Sequence, residues 1–161
     1  MLEIISELAR VAWITLIPAL ELRASIPYGI MVANQHWLPV FIVAVIVNIA
    51  LGVLVYFLLD EVVHLFFHIK WFHKLYHKTV ERAQKKVHPF VEKYGTLGVA
   101  LFIGIPLPGS GVYTGALGSF VLDLGYKKFI IASIVGVLIA AIVVTTIVLT
   151  GTGVYNIFVK V

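Results

Sequence analysis

Two long apolar runs dominate the pattern of hydrophobic and polar positions along the chain. Residues 38–59 have Asn48 and Tyr56 as their only strongly polar side chains, and residues 129–150 have only Ser, Thr and Gly as polar exceptions. Because a helix of about 20 residues crosses the hydrocarbon core of a bilayer, each run predicts one transmembrane helix. The composition agrees, since 61% of the 161 residues are hydrophobic and 12% are charged, against about 25% charged in soluble domains.

An interrupted apolar segment precedes each predicted span. In the first segment, residues 6–33, the interrupting residues are Pro18, Glu21, Arg23 and Pro27. In the second, residues 96–124, they are Pro106, Pro108 and six glycines. Irregular backbone at membrane depth is tolerated only where protein or a wet cavity surrounds it. We therefore expect each segment to form a re-entrant hairpin, and the alternative is five or six ordinary helices with kinks.

The charged residues are concentrated between the two halves. Residues 60–94 alternate apolar and basic positions in the manner of an amphipathic helix, and seven basic residues fall between Lys70 and Lys93. Such a basic, aromatic segment suits the headgroup region of the cytoplasmic leaflet. With this linker in the cytoplasm, span 38–59 runs inward and the second hairpin returns to the cytoplasm at Lys127 and Lys128.

These patterns together predict a single all-α integral membrane domain made of two inverted repeats, each a re-entrant hairpin followed by a transmembrane helix. Its parts are residues 1–37 (N-terminal helix and hairpin 1), 38–59 (span), 60–94 (linker), 95–128 (hairpin 2) and 129–150 (span). So small a chain cannot easily shield two hairpins from lipid, which predicts a homodimer or a higher homo-oligomer. The expected location is the plasma membrane of a prokaryote, crossed several times.

Glu21 and Arg23 are the first candidates for chemistry. An ionisable residue inside a membrane segment is expensive and indicates function by default. Glu21 is the candidate proton-responsive group, and Arg23 can grip a phosphate or carboxylate through two parallel hydrogen bonds. The alternative is structural: an ion pair, or a cap on backbone groups, that holds the hairpin together.

The second interruption is a candidate anion-binding site. Its glycines free backbone N–H groups that can form an anion-binding nest, and hydroxyl groups accompany them. The predicted binding residues are Pro108, Gly109, Ser110, Gly111, Tyr113 and Thr114, with Pro18, Pro27 and Pro106 shaping the hairpins. The alternative is close helix packing by small residues, and both interpretations can hold in different parts of the segment.

The remaining polar residues carry weaker signals. Asn48 is expected to make an interhelical hydrogen bond or, secondly, to line the cavity. Five linker histidines include two pairs spaced i, i+4, but no carboxylate or cysteine ligand accompanies them at fixed spacing; they are His64, His68, His73, His77 and His88. We predict no metal, no cofactor, no nucleic-acid partner and no enzymatic activity, and the chain lacks a P-loop for ATP-driven pumping.

Residues 21–27 (ELRASIP) and 106–116 (PLPGSGVYTGA) carry a family resemblance. At these motifs the chain resembles the small multidrug export protein family of bacteria and archaea over nearly its whole length. The architecture is also similar to that of the DedA superfamily, which includes the eukaryotic VTT lipid scramblases and has two opposed re-entrant hairpins. That resemblance implies proton-dependent movement of lipid-carrier phosphates, with Glu21 at the acidic hairpin position. It also implies arginines in the second hairpin, where this chain has none.

The sequence thus leaves three functions open. The favoured one is a small, proton-linked transporter that moves an anionic lipid or a lipid-carrier phosphate, with membrane lipids and a small-molecule or lipid-phosphate substrate as partners. The second is a proton-coupled small multidrug exporter, which Arg23 beside the acid disfavours for cationic drugs. The third is a membrane scaffold that transports nothing, in which the basic linker would bind anionic lipid.

Overall fold

Helices make up all the regular structure of the residues that the computed structural model describes, which are 2–66, 88, 94–107 and 109–159. The all-α prediction is therefore confirmed for this part of the chain. The helices are α1 (Leu2–Thr15), α2 (Glu21–Pro27) with a π-helical segment (Tyr28–Val32), α3 (Trp37–Phe66), α4 (Thr96–Gly104), α5 (Val112–Val121) and α6 (Tyr126–Val159).

Two of these helices are long and apolar enough to cross a membrane. They contain the candidate spans Trp37–Leu59, of 23 residues, and Tyr126–Gly151, of 26 residues, which confirms the two predicted transmembrane helices by length and composition. Helix α3 does not stop at the end of its apolar run, and the first residues of the predicted linker continue it to Phe66. Most of the linker, residues 67–87 and 89–93, lies outside the described residues, so the amphipathic helix and the histidine pairs stay predictions.

The first interruption lies between α1 and α2. Helix α1 ends at Thr15, and the Leu16 N–H contacts the carbonyl oxygens of both Ala12 and Trp13, at 3.2 and 3.1 Å. Pro18 has no N–H to continue the helix. The chain then turns through Ala19 and Glu21, whose φ angles of 71° and 47° are left-handed. This region costs a residue with a Cβ about 1–2 kcal/mol.

The first two helices form an antiparallel hairpin. Near the turn, Thr15 Oγ1 lies 2.7 Å from Ser25 Oγ, and towards the open end the Tyr28 hydroxyl donates to Glu7 Oε2 at 3.1 Å. The π-helical segment begins directly after Pro27. Proline cannot donate the next helical hydrogen bond, and a widened turn is one way for the backbone to accommodate this loss.

The second interruption joins α4 to α5. Helix α4 ends at Gly104, and Ile105 takes the extended conformation that a residue before proline favours. Gly109, with a φ of 82°, completes the turn in a conformation that glycine adopts at little cost. Helix α5 then begins at Val112.

Close contacts at glycines fix the directions of the remaining helices. A Cβ on Gly136 would lie 2.6 Å from the Ala100 oxygen, and one on Gly104 would lie 3.0 Å from Ile139 Cγ2. Residue numbers therefore rise together along α4 and α6, so these helices run parallel and pack closely. A Cβ on Gly29 would likewise lie 2.6 Å from Val40 Cγ1, which places the end of the first hairpin beside the start of α3.

Helix α3 packs against α5 and α6 through one stripe. A Cβ on Gly52 would lie 2.9 Å from Ser133 Oγ and 3.4 Å from Val112 Cβ. One turn later, Tyr56 stacks on Phe129 and meets Phe120 edge to face. Helix α5 therefore runs parallel to α3, and α6 runs antiparallel to it.

Candidate functional site

Arg23 of α2 reaches across to the end of α4. Its guanidinium donates to the Leu107 carbonyl, to Ser110 Oγ at 2.9 Å and to the Ile105 carbonyl at 3.4 Å. These carbonyls follow the last turn of α4, where backbone oxygens have no helical partner and the helix dipole is negative. A cation is the complementary group at such an end, and the Arg fork can serve several acceptors at once.

Glu21, the first residue of α2, contacts the other side of the break between α4 and α5, at the start of α5. Its side chain is 4% exposed, and the carboxylate accepts the Val112 N–H at 3.1 Å. The Tyr113 backbone N–H and the Asn48 side chain lie close enough to interact with this carboxylate as well. The N-cap residue of α5 is Gly111, which has no capping side chain. A carboxylate from another helix therefore supplies the negative charge that a helix N-terminus favours.

Gly111 is what permits this close approach. A Cβ built on Gly111 would overlap both carboxylate oxygens of Glu21. The φ of Gly111 is −90°, which any residue can adopt, so the requirement here is space rather than backbone freedom.

A third contact joins the two breaks, this time from a side chain of the second segment to a backbone carbonyl of the first. The Tyr113 hydroxyl of α5 donates to the Leu16 carbonyl at 2.6 Å, and that carbonyl follows the end of α1. Each interrupted segment thus contributes side chains that form hydrogen bonds with backbone groups at the other segment's break. The Ile105 and Leu107 carbonyls also accept from the Leu107 and Ser110 N–H groups of their own turn. Because donors and acceptors at helix ends need partners away from water, the two breaks stabilise one another.

The structure brings most of the sequence-predicted site residues together. Glu21, Arg23, Ser110, Gly111 and Tyr113 meet between the two breaks, and Asn48 joins them from α3. Gly109 forms the turn, and Thr114 lies half-buried in the first turn of α5. Pro18 lies in the turn after α1, Pro27 is the last residue of α2 and Pro106 follows the end of α4, whereas Pro108 lies outside the described residues.

The contacts at Glu21 and Arg23 are those of the structural alternative, in which both side chains cap backbone groups. Asn48 of α3 lies beside the Glu21 carboxylate, at the site. Of the N–H groups near the predicted anion site, that of Val112 donates to the Glu21 carboxylate and that of Ser110 donates to the Leu107 carbonyl. An internal carboxylate therefore takes the place that an anionic ligand would need at the start of α5.

A pocket of about 310 Å³ opens beside Arg23. Its lining residues are Ala19, Leu20, Arg23, Ala24 and Pro106. The walls are apolar, and the guanidinium is the charged group among them. The sequence analysis identified Arg23 and Pro106 but missed the three other lining residues, whose only signal is their position within about one turn of Arg23.

A second feature that the sequence analysis missed is the buried pair Thr15 and Ser25, whose oxygens lie 2.7 Å apart. The available sequence signal for this pair was a hydroxyl residue on each side of the first break, among mostly apolar neighbours. No group of three or more His, Asp or Glu residues that could hold a metal occurs in the part of the chain that the structure describes.

Fold and site define a small all-helical membrane protein in which two broken helices interlock through charged and backbone groups. A model of the family described as "Putative small multi-drug export protein" matches residues 21–143, and the chain belongs to this family. The match begins at Glu21, directly after the first break, and includes the second break. No curated protein and no solved structure matches the chain. The comparisons do not show the resemblance to the DedA superfamily.

Proposed function

We propose that this protein is a small proton-linked transporter whose substrate is an amphiphilic anion, such as a lipid or lipid-carrier phosphate. The observation that carries the proposal is the position of Arg23, which lines an otherwise apolar pocket between the two breaks. A guanidinium suits a phosphate or carboxylate head, and apolar walls suit a hydrocarbon tail.

Access from the lipid phase also supports an amphiphilic substrate. Large apolar side chains near the pocket are exposed, and they are Leu16, Ile17, Leu20, Ile105 and Leu107. In a membrane, such a surface faces acyl chains rather than water, so a lipid-like molecule could reach Arg23 sideways.

We further propose that the two breaks are the tips of re-entrant hairpins and that the halves form an inverted repeat. In each half the first arm runs parallel to the long helix and the second runs antiparallel, while α3 and α6 oppose each other. At 1.5 Å per residue, α4 and α5 are about 14 and 15 Å long, roughly half of a 30 Å hydrocarbon core. The apolar side chains at both tips suit that depth.

Cysteine labelling tests this topology, because the chain has no native cysteine. Single cysteines replacing Glu3 and Trp37 are expected to react with an impermeant maleimide from one face, and one replacing Lys127 from the other. Labelling of the Glu3 and Trp37 positions from opposite faces would contradict the first hairpin. Labelling of the Lys127 position from the cytoplasmic face would support the proposed cytoplasmic linker.

We also propose a homo-oligomer. The hairpin arms are shorter than the bilayer is thick, so the irregular backbone at their ends would face lipid unless another protein surface covers it. Subunit counting by stepwise photobleaching in bilayers tests this. Two or more bleaching steps for each particle are expected, and single steps at working lipid dilution would contradict it.

Coupling follows from the neighbouring charges. While Glu21 is ionised, its carboxylate holds the start of α5 and offsets the charge of Arg23. Once Glu21 binds a proton, that negative charge is lost, so Arg23 attracts an anion more strongly. Linkage is reciprocal, so the anion also favours proton binding at Glu21. Proton and anion are then expected to move in the same direction.

Flux into proteoliposomes tests the proposal. A short-chain polyprenyl phosphate and, separately, a cationic dye are followed under an imposed pH gradient. Wild type is compared with Glu21→Gln and with Glu3→Gln, which alters an exposed acid on α1. Movement of the phosphate towards the alkaline side, lost only in Glu21→Gln, is the expected result.

The other outcomes contradict the proposal in distinct ways. Dye movement without phosphate movement would favour drug export, the activity that the family description names. No movement of either probe by folded protein would favour the scaffold. Phosphate movement that Glu21→Gln leaves unchanged would retain the substrate class and remove Glu21 from the coupling.

A further inference from the structure

We propose that protons reach Glu21 through a column of buried polar side chains between α3, α5 and α6, entering at the end of the molecule that carries Tyr126. The inference rests on the proposed role of Glu21 as the proton-responsive group. It assigns a transport role to Ser119 and Ser133, to which neither the site nor the family match gives one.

The first observation is a set of unpartnered buried oxygens. In the ranges that the structure describes, four buried side-chain oxygens have no hydrogen-bond partner, and they are Asn48 Oδ1, Ser119 Oγ, Ser133 Oγ and Thr145 Oγ1. All four belong to α3, α5 or α6. Buried polar groups are ordinarily paired, and an unpaired one costs about 1–3 kcal/mol. Four of them within one set of packed helices indicate a polar function.

Three of these residues lie between Glu21 and one end of the bundle. Asn48 lies beside the Glu21 carboxylate. Gly52 lies one turn further along α3, where a Cβ would be 2.9 Å from Ser133 Oγ. Ser133 is therefore about 6 Å further along the helix axis than Asn48. The missing side chain at Gly52 leaves the Ser133 hydroxyl beside the α3 backbone.

The column continues to the surface through an aromatic cluster. Tyr56 is one more turn along α3 and contacts Phe120, the neighbour of Ser119 on α5. The rings of Tyr56 and Tyr126 have centroids 5.5 Å apart. Tyr126 is 43% exposed and is followed by Lys127, which is also exposed. This end of the column therefore meets solvent.

Hydroxyl and amide groups can both donate and accept hydrogen bonds, so each can relay a proton in either direction. Gaps of about one helical turn are within the span of a bridging water between two polar partners. The proton starts in bulk water at Tyr126 and ends on a Glu21 carboxylate oxygen, so no other co-reactant is needed.

The charged surroundings of Glu21 are few. The titratable side chains that act on it are Arg23, from its own helix, and Tyr113, from α5. Residues 38–55 of α3 and 129–151 of α6 contain no ionisable side chain, and the charged pair of α1, Glu7 and Arg10, lies towards the open end of the hairpin. A change in proton uptake after mutation of Ser133 would therefore reflect the route rather than a changed charge.

Thr145 provides a matched control. It is buried, unpartnered and on the same helix as Ser133. It lies twelve residues from Ser133 along α6, about 18 Å at 1.5 Å per residue, on the side of Glu21 away from Tyr126. A route that enters at Tyr126 does not pass it.

The test measures how fast Glu21 is protonated. Full-length protein in lipid nanodiscs receives a light-triggered pH drop, and the carboxylic C=O infrared band is followed. The band of Glu21 is identified by its loss in Glu21→Gln. Ser133→Ala is expected to slow its appearance at least tenfold without moving the pH midpoint, and Thr145→Val to match wild type. Ser119→Ala serves as the second variant should Ser133→Ala fold poorly.

Equal rates in wild type and both serine variants would overturn the route, as would slowing in Thr145→Val alone. These failures differ from failure of the proposed function. Wild-type Glu21 that never titrates would remove both proposals. Slowed protonation in Ser133→Ala, with no substrate flux in wild type, would keep the proton route and remove the transport.

Discussion

The Glu21 carboxylate and the Val112 backbone N–H lie 91 residues apart in the chain and 3.1 Å apart in the structure. This bond joins the first break to the start of α5, and Arg23, two residues along, joins the same turn to the end of α4. The acid thus contacts the start of α5, and the base contacts the end of α4. The dipoles at those ends favour this arrangement.

Gly111→Ala is expected to force the Glu21 carboxylate away from α5. The new Cβ would overlap both carboxylate oxygens, and losing a hydrogen bond to a charged group costs about 1.5–3 kcal/mol. Thermal unfolding in detergent should show a Tm lower by several degrees. Gly151→Ala is the control, because a Cβ there meets nothing within 4 Å. Equal Tm values for the two variants would contradict the role of Gly111.

Comparing Glu21→Gln with Glu21→Ala separates the contribution of the hydrogen-bond acceptor to stability from that of the negative charge. Gln keeps an oxygen for the Val112 N–H but loses the negative charge, which interacts with the helix dipole, worth about 0.3–1 kcal/mol, and with Arg23. Ala leaves that N–H buried without a partner, at about 1–3 kcal/mol. The expected order of unfolding free energy is wild type, then Gln, then Ala. Indistinguishable Gln and Ala variants would show that the cap contributes nothing.

Arg23→Lys tests whether the planar, forked shape of the guanidinium contributes to stability. A lysine keeps the positive charge but cannot serve the Leu107 carbonyl, the Ile105 carbonyl and Ser110 Oγ from one rigid plane. We expect a loss of about 1–2 kcal/mol from the missing hydrogen bonds, measured by chemical unfolding. Arg10→Lys, at an exposed ion pair on α1, should change stability by less than about 0.5 kcal/mol. A larger loss for Arg10→Lys would contradict this assignment.

Ala19→Gly is expected to stabilise the protein. Ala19 has a left-handed φ of 71°, and glycine removes a Cβ penalty of about 1–2 kcal/mol, partly offset by greater freedom in the unfolded chain. Ala12→Gly, inside α1, should instead destabilise by about 1 kcal/mol. Opposite shifts in Tm check the pair, and a fall in both would argue against strain at the first break.

The sequence could predict much of the fold because the membrane constrains it strongly. The apolar runs at 38–59 and 129–150 identify both long helices, since only a helix satisfies its own backbone in lipid. The prolines at 18, 27 and 106 identify the ends of shorter helices, because a proline removes a donor and restricts the residue before it. The far end of α3 was missed, as it continues into charged residues that the apolar pattern excludes.

The sequence by itself also determined which residues matter at the breaks, because Glu21 and Arg23 are costly in apolar surroundings and require partners. Only the tertiary structure decided which groups are those partners. The Val112 N–H, the Leu107 carbonyl and the Leu16 carbonyl are backbone groups, which every residue carries, so no side-chain pattern distinguishes them. Gly111 and Gly52 look like ordinary small residues until the atoms facing them are known. Long-range proximity comes from the packing of helices far apart in the chain, and that packing set Glu21 against α5.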